Sequence, residues 1–568
     1  MRFVVVGGGV AGVCCAEELC RVRPQDSVTL VAADRVLKGV SVVVRLSRTL
    51  EELALVERRL DELPWPNLQM VQGVAAGIDA EGKELLLGDG RRLPYDKLCI
   101  CAGARPKQLP PTAFHARPAP GLSEAEAEAE RQRQEAELRR RVLTIRDTDS
   151  VQRLAARLRG ARRVAVVGNG GIALELISGL QGKDVTWIMR HAHIGDAYFD
   201  LDAAQFLLEE LQQQREQQAQ QVAGAQQQQQ QEQKQEQLPP SPQEQQQEQG
   251  RRQPSDASLA NGAGSEDNCG SGKVLGHAVG PRWVQQLLPA AVAAEGGTAE
   301  EDSSAVGRVD LEYGCEVACI ELIQEGGQPQ QQPRQPPGDG DSPSQRGGQP
   351  PLLLTLTSGK KVEADLVLLA IGVTPALDWV PPCVERAPDG GLKLNRHMQS
   401  SDPAIYAAGD SASCSWAAGE SSHWFQMRLW SQARSMGIYA AHCMAGVQEQ
   451  ASSSAPPHMH MGADMAFELF THVTRFLGRK VVLLGLYNGQ RLQHEPASDM
   501  ATYSRVTEGP ERTFVRVLLL RGRVQGVVLI GDTELEETFE NLILDQLDVS
   551  QYGPALLDPD FELDHVFD

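Results

Sequence analysis

The sequence predicts an α/β protein: two copies of one strand–turn–helix architecture, followed by a smaller α+β domain. Three observations predict this class. Short, near-continuous apolar runs alternate with amphipathic segments along most of the 568 residues. The run Gly7-Gly8-Gly9-Val10-Ala11-Gly12 recurs in form as Gly168-Asn169-Gly170-Gly171-Ile172-Ala173. Ala102-Gly103-Ala104-Arg105-Pro106 likewise recurs as Ile371-Gly372-Val373-Thr374-Pro375.

Taken in order, Arg2–Val6, Ser27–Val31, Lys97–Cys101, Arg163–Val167, Asp184–Met189 and Asp365–Ala370 read as parallel strands covered on both faces. Gly7, Gly9 and Gly12 form G-x-G-x-x-G between the first strand and a helix that includes Cys14–Leu19. The first glycine permits a tight turn, the second lets a pyrophosphate approach the backbone, and the third lets helix pack on strand. The helix N-terminus offers unpaired N–H groups to phosphate. The acid expected on a ribose at the end of the second strand falls on Ala32, which leaves that ribose to backbone groups or water.

The second copy reads Gly168-x-Gly170-x-x-Ala173-x-Glu175, and its second strand ends in Met189-Arg190. A cation there accommodates a 2′-phosphate, although Arg190 reads equally well as a solvated strand-end charge. Downstream, Ser401–Asp410 delivers Gly409-Asp410 from a short strand to a loop, ahead of a helical segment over Gln426–Ala445. A carboxylate at that point can accept a hydrogen bond from a polyol, and glycine allows close approach.

Four stretches look inserted. Residues 117–141 are rich in Ala, Glu and Arg with balanced charge, the composition of a solvated helix. Residues 212–272 and 323–351 are dominated by Gln with Pro, Ser and Gly, and residues 291–307 are rich in small residues; all three read as disordered loops. Segments Ala466–Leu486 and Thr513–Ile530 read as strands of the last domain, and Glu534–Leu547 as a helix with Leu535, Phe539, Leu542 and Ile543 on one face.

Composition narrows the function classes. A net charge of −21 argues against a direct nucleic-acid or anionic-membrane binder. No run of eighteen apolar residues exists, and the stretch Phe3–Val6 runs into glycines rather than a cleavage site. Eleven cysteines in so long a chain fit a reducing compartment. The expectation is a soluble protein of the cytoplasm, the nucleus or both.

Two glycine fingerprints followed by a late Gly-Asp resemble the two-dinucleotide-binding-domain flavoproteins, the pyridine nucleotide-disulphide oxidoreductases. Longer stretches strengthen the likeness: Leu98–Ala104, Ile145–Ser150, Gly168–Leu176, Gln426–Trp430 and Gly531–Leu544. The resemblance implies two Rossmann-like domains, the first for FAD and the second for NAD(P)H. It assigns Gly7, Gly8, Gly9, Val10, Ala11, Gly12, Ala102, Gly103, Gly409, Asp410, Gln426 and Met427 to FAD. It assigns Gly168, Gly170, Gly171, Ile172, Ala173, Arg190 and Gly372 to NAD(P)H. The implied divisions are residues 1–116 and 381–447 for the FAD domain, 142–380 for the NAD(P) domain and 463–568 for the C-terminal domain.

Disulphide reductases of this family use a cysteine pair or a lone cysteine beside the flavin. This chain has no C-x-x-C, and Cys99 and Cys101 sit on one face of a buried strand, so an internal dithiol relay is not expected. Lys38 is the candidate cation for reduced flavin, paired with Glu175, and reads equally as an exposed lysine in a loop. The helix start at Gln426–Met427 is a second source of positive potential. The expected activity is FAD-dependent NAD(P)H oxidation with an unknown electron acceptor, in oxidative-stress defence. One alternative is a redox-responsive binding protein, for which the resemblance implies the tRNA ligase complex as protected partner. Another is a reductase of external protein disulphides.

Overall fold

A computed structural model describes residues 1–60, 62–146, 148–180, 182–236, 307–323, 351–417, 422–447, 467–509 and 511–558. The sequence inserts over 237–272, 291–306 and 324–350, and the acidic end over 559–568, lie outside the described residues.

The first unit runs β1 (Arg2–Val6), α1 (Val10–Val22), β2 (Ser27–Ala32), a hairpin of β3 (Val36–Arg45) and β4 (Glu51–Arg59), and β5 (Leu68–Gln72). A meander of β6 (Ala75–Asp79), β7 (Glu84–Leu87) and β8 (Arg92–Pro94) then leads to β9 (Lys97–Ile100) and β10 (Ala104–Pro106). After α2 (Glu124–Arg141), β11 (Val142–Thr144) and α3 (Thr148–Leu158), the same plan returns. It comprises β12 (Arg163–Val167), α4 (Gly171–Gly179), β13 (Asp184–Ile188), α5 (Leu201–Glu236), β14 (Val309–Glu312), a meander of β15 (Val317–Leu322), β16 (Leu352–Leu356) and β17 (Lys361–Ala364), then β18 (Leu366–Leu369) and β19 (Val373–Pro375). The repeat is thus longer than the glycine motifs alone: each copy has its own three-stranded meander before the returning strand.

The chain then re-enters the first unit through β20 (Leu392–Lys393), β21 (Ile405–Ala407), β22 (Ala412–Ser413) and α6 (Trp430–Ala445). The first sheet is ordered β21-β9-β1-β2-β5 and the second β11-β18-β12-β13-β14, every pairing parallel. The apolar runs form these strands because both faces are covered. Phe3, Val5, Leu98 and Ile100 are wholly buried in one core, and Val166 and Trp187 in the other. In each sheet the order reverses beside the fingerprint strand, between β1 and β9 and between β12 and β18, which is where open α/β sheets bind ligands.

The last unit is an antiparallel sheet ordered β23 (Thr471–Phe476), β24 (Arg479–Gly485), β27 (Arg523–Ile530), β26 (Thr513–Leu520) and β25 (Met500–Thr507), covered by α7 (Glu536–Asp545). Phe539, Leu542 and Ile543 of α7 are fully buried, as their spacing predicts. The other face shares a core with the second unit, where the Phe476 ring lies 5.0 Å from that of Tyr198 and 5.9 Å from that of Phe199.

Two readings of the inserts change. Residues 212–236 are not a loop but continue α5. Ala203, Phe206, Leu207 and Leu211 anchor the start of that helix in the core, and glutamine propagates a nucleated helix at little cost. The helix over 124–141 is solvated along most of its length and opens with a Ser123/Glu126 capping box, yet Leu138 and Arg141 are buried against the second unit. No helix among the described residues is long and apolar enough to cross a membrane.

Candidate functional site

The first fingerprint owes its shape to close contact. Gly7 has φ +131° and donates its N–H to the Val31 carbonyl at 2.8 Å. A Cβ on Gly7 would lie 2.0 Å from the Cys101 carbonyl oxygen, and one on Gly12 1.9 Å from that of Gly7. Val10 and Ala11 are buried in the first turn of α1, and Gly8 lies against Ala32 and Leu37. Gly9 behaves differently. It is the N-cap of α1 with no side chain capping the helix, and a Cβ there would meet nothing within 4 Å. Open space over uncapped N–H groups suits a diphosphate.

The second fingerprint repeats this in detail. Gly168 has φ +128°, donates to the Ile188 carbonyl at 3.0 Å, and would place a Cβ 2.2 Å from the Ala370 carbonyl oxygen. Gly170 is the uncapped N-cap of α4 and faces open space. Ala173 is fully buried, whereas Gly171 and Ile172 are partly exposed. Asn169, which the sequence reading passed over, is buried and pins the next loop: its side chain accepts from the Gly195 N–H at 2.6 Å and donates to His193 O and Asp196 Oδ1, both at 2.8 Å. Arg190 is exposed at the end of β13, with its Nε 3.0 Å from His191 Nε2.

The two sites are joined by the second repeated motif. β10 and β19 pair antiparallel, Ala104 with Pro375 and Pro106 with Val373. Lys107 N–H donates to Gly372 O at 2.9 Å, and Ala376 N–H to Gly103 O at 3.0 Å. Ala102, Gly103 and Gly372 therefore stand where the reversing edges of both sheets meet.

Gly409 and Asp410 follow β21 directly. Gly409 has φ +66°, and a Cβ there would sit 2.9 Å from that of Ala11. Gly437 of α6, unnoticed in the sequence, would place a Cβ 2.3 Å from the Ala11 carbonyl oxygen, so α6 and the Gly-Asp loop both press on the first turn of α1. Burial raises the Asp410 carboxyl above its usual range, against the opposing pull of the Arg428 guanidinium. Arg428 bonds Asp389 Oδ2 at 2.9 Å.

Two expectations need correction. α6 begins at Trp430, not at Gln426. Gln426 stays outside the helix because its side chain bridges the preceding loop, accepting from Cys414 N–H and donating to Ala412 O, both at 2.8 Å. Met427 donates its N–H to Gln432 Oε1 at 2.8 Å, so the helix dipole originates near residue 430. Lys38 is not an exposed loop residue. It lies buried on β3, ion-paired with Glu57 of β4, and its own N–H donates to Gly8 O at 2.9 Å. Glu175 is on α4 and faces Tyr198, whose hydroxyl is pushed up to about 12 by burial and then by the Glu175 charge. Trp424 is core, edge-on to Phe467 at 4.8 Å.

The thiols nearest the first fingerprint are closed to solvent. Cys99 and Cys101 lie with sulfurs 3.6 Å apart and are fully buried beneath the turn. Burial pushes Cys14 up to about 12, and the Cys99 hydrogen bond, then burial, hold Cys101 well above its ordinary range. A thiolate relay needs the reverse.

Comparison with known proteins agrees with this geometry. The family described as pyridine nucleotide-disulphide oxidoreductase matches residues 1–239 and 342–437. The chain is similar to pyridine nucleotide-disulfide oxidoreductase domain-containing protein 1 of Mus musculus, 37% identical over 574 residues, covering 100% of this chain and 98% of that one. The Homo sapiens protein of that name is 36% identical over 571 residues with the same coverage. Among solved structures, the fold is similar to a water-forming NADH oxidase from Lactobacillus brevis bound to NADH (TM-score 0.57, 17% identity, 99% of this chain and 94% of that one). It is also similar to a putidaredoxin reductase in covalent complex with putidaredoxin (TM-score 0.56, 17% identity, 100% and 98%). The family match and the full-length relatives, in agreement with two uncapped glycine fingerprints, place this protein in the pyridine nucleotide-disulphide oxidoreductase family, with FAD and NAD(P)H as its cofactors.

Proposed function

We propose that the chain is an FAD-dependent NAD(P)H oxidoreductase that passes electrons to an external acceptor without an internal redox-active disulphide. The observation that carries this reading is the pairing of β10 with β19, which ties together the segments that follow the strands beside the two fingerprint strands. When bound, FAD supplies the two-electron chemistry between a nicotinamide and the acceptor.

The residues divide the remaining work. The α1 terminus at Gly9 holds one diphosphate and the α4 terminus at Gly170 the other. Asp410 accepts a ribityl hydroxyl, with Gly409 letting it close on α1. Gln426 fixes the loop after Asp410, and Lys38, its charge balanced by Glu57, braces the Gly8 turn through its backbone N–H. Arg190 meets a 2′-phosphate, so NADPH is accepted as well as NADH. The test is anaerobic addition of NADH or NADPH to the purified chain: a flavin spectrum that bleaches supports the reading, and a folded chain devoid of flavin refutes it.

The same buried thiols favour a second reading, in which turnover is incidental and a cofactor-loaded chain shields a partner from oxidation, the tRNA ligase complex being the candidate by resemblance. Rapid multiple turnover with a quinone or small disulphide supports the enzyme. Slow reoxidation with stoichiometric partner protection supports the binding protein and its place in oxidative-stress defence. Steady NADPH-dependent thiol release from an added protein disulphide would instead mark an external disulphide reductase.

A further inference from the structure

The β15 strand carries Cys319 and Glu321 two residues apart, hence on one face. The segment after β10 runs beside it, with Phe114 bridged parallel to Ile320 and His115 N–H donating to Ile320 O at 3.0 Å. Phe114 and Ile320 point together into the core. That register turns His115 to the opposite face, where it joins Cys319 and Glu321. One ligand atom from each of the three lies within 4.8 Å of the others, and His115 Nδ1 is 3.6 Å from Glu321 Oε1.

The ring orientation is itself informative. His115 Nε2 is 3.1 Å from the Thr112 carbonyl oxygen, so in the neutral ring that nitrogen carries the proton and donates it. The Nδ1 lone pair then faces the Glu321 carboxylate, whose Oε1 the Arg117 guanidinium also holds. A metal ion in Arg117's place would be shared by both acceptors, and a ligating histidine whose far nitrogen is held by a backbone carbonyl is the usual arrangement at zinc.

We propose that His115, Cys319 and Glu321 bind one Zn²⁺. Imidazole, thiolate and carboxylate together select zinc over magnesium or calcium. Tetrahedral bonds of roughly 2.0–2.3 Å put ligand atoms about 3.3–3.6 Å apart, so a separation at the 4.8 Å limit contracts by about 1.2–1.5 Å. On binding, the Cys319 thiol gives its proton to solvent and its sulfur bonds the metal. Water fills the fourth position, since the His115 side chain is 47% exposed. Arg117, now ion-paired with Glu321, swings away; its side chain is 72% exposed, and such pairs are weak. The ion clips the segment that follows the inter-domain strand β10 onto the second unit.

Co²⁺, a spectroscopic stand-in, tests this on the full flavin-loaded chain after chelator treatment. One equivalent of Co²⁺ is expected to give four-coordinate d–d bands with a thiolate charge-transfer band, both bleached by equimolar Zn²⁺. Cys319→Ser should abolish the charge-transfer band, and His115→Ala should weaken binding at least about tenfold. Cys383→Ser, at an exposed cysteine outside the cluster, should change neither. Absence of saturable binding, or bands that survive Cys319→Ser, overturns the site. Should Cys319→Ser fold poorly, His115→Ala decides, because unchanged affinity there is also fatal to it.

Discussion

Two glycines three residues apart in the first fingerprint should fail in opposite ways when each becomes alanine. A methyl on Gly12 would sit 1.9 Å from the Gly7 carbonyl oxygen and 3.3 Å from Cys101 Cβ. Restoring a contact near ~3.5 Å requires α1 to retreat by about 1.5 Å from a strand it packs on through buried Val13 and Ala16. Overpacking of this kind costs about 1–3 kcal/mol, which at about 2–4 °C per kcal/mol lowers the flavin-free melting temperature by about 2–12 °C. Gly9, by contrast, has φ −80° and ψ −179°, which alanine adopts freely, and open space around its Cβ position. Its poorer N-cap preference and its smaller unfolded-state entropy nearly cancel, leaving the flavin-free chain within about 2 °C of wild type. The methyl does, however, occupy the space left for the diphosphate. Loss of one charge-assisted hydrogen bond of ~1.5–3 kcal/mol weakens FAD by about ten- to a hundredfold. Flavin titration followed by fluorescence, with circular-dichroism melts of flavin-free protein, separates the outcomes. Gly9→Ala with undiminished FAD affinity, or Gly12→Ala as stable as wild type, would refute the steric reasoning.

Four further outcomes are expected. Because burial raises the folded-state pKa of Asp410, its ionisation costs the flavin-free chain stability above the ordinary carboxylate range. Asp410→Asn should therefore melt higher than wild type at pH 7, with the gap closing on acidification, while binding FAD more weakly. His472 is buried with its pKa depressed to about 4, so the unfolded chain takes up a proton first as pH falls below about 6.5. Between pH 7 and pH 5 this loses about 2 kcal/mol in urea titrations, and His472→Leu should lose less. Alkylation and mass spectrometry of native protein should label Cys383 and spare Cys14, Cys15, Cys99 and Cys101; Cys101→Ala should still show flavin reduction by NAD(P)H. Arg190→Ala should raise the KM for NADPH by at most about fivefold and leave NADH unchanged, since an exposed charge contributes no more than ~1 kcal/mol.

What could be read in the sequence was what local sterics dictate. Gly7 and Gly168 announce themselves because a tight turn under a carbonyl admits no side chain. The apolar runs of β1, β9, β12 and β18 are equally plain, since strands buried on both faces show no alternation. Gly437 was silent because its reason lies in another helix, Ala11 of α1, far away in sequence. The start of α6 was misplaced because Gln426-Met427-Arg428 has helical composition, and only the distant loop at 412–414 draws Gln426 out. Lys38 reads from sequence as a candidate cation or equally as an exposed loop lysine, although Val36–Arg45 is rich in valine, a strand signal outweighed by the proximity of a turn. β25 escaped because an edge strand of alternating exposure resembles a polar connection. Of the Gln-rich stretch, residues 212–236 depart from the loop that composition suggests, because composition gives no weight to the helix already nucleated before them.

The short pairing of β10 with β19 also constrains motion. Each of these strands follows, within a few residues, a central strand of its own sheet, so neither can shift far without disturbing a core. Any opening of one nucleotide-binding unit from the other that leaves the pairing intact reduces to rotation about it, as a door turns on its pin. Gly103 and Gly372 both have positive φ, so a bulkier residue at either would strain this pin together with the two nucleotide-binding edges it joins.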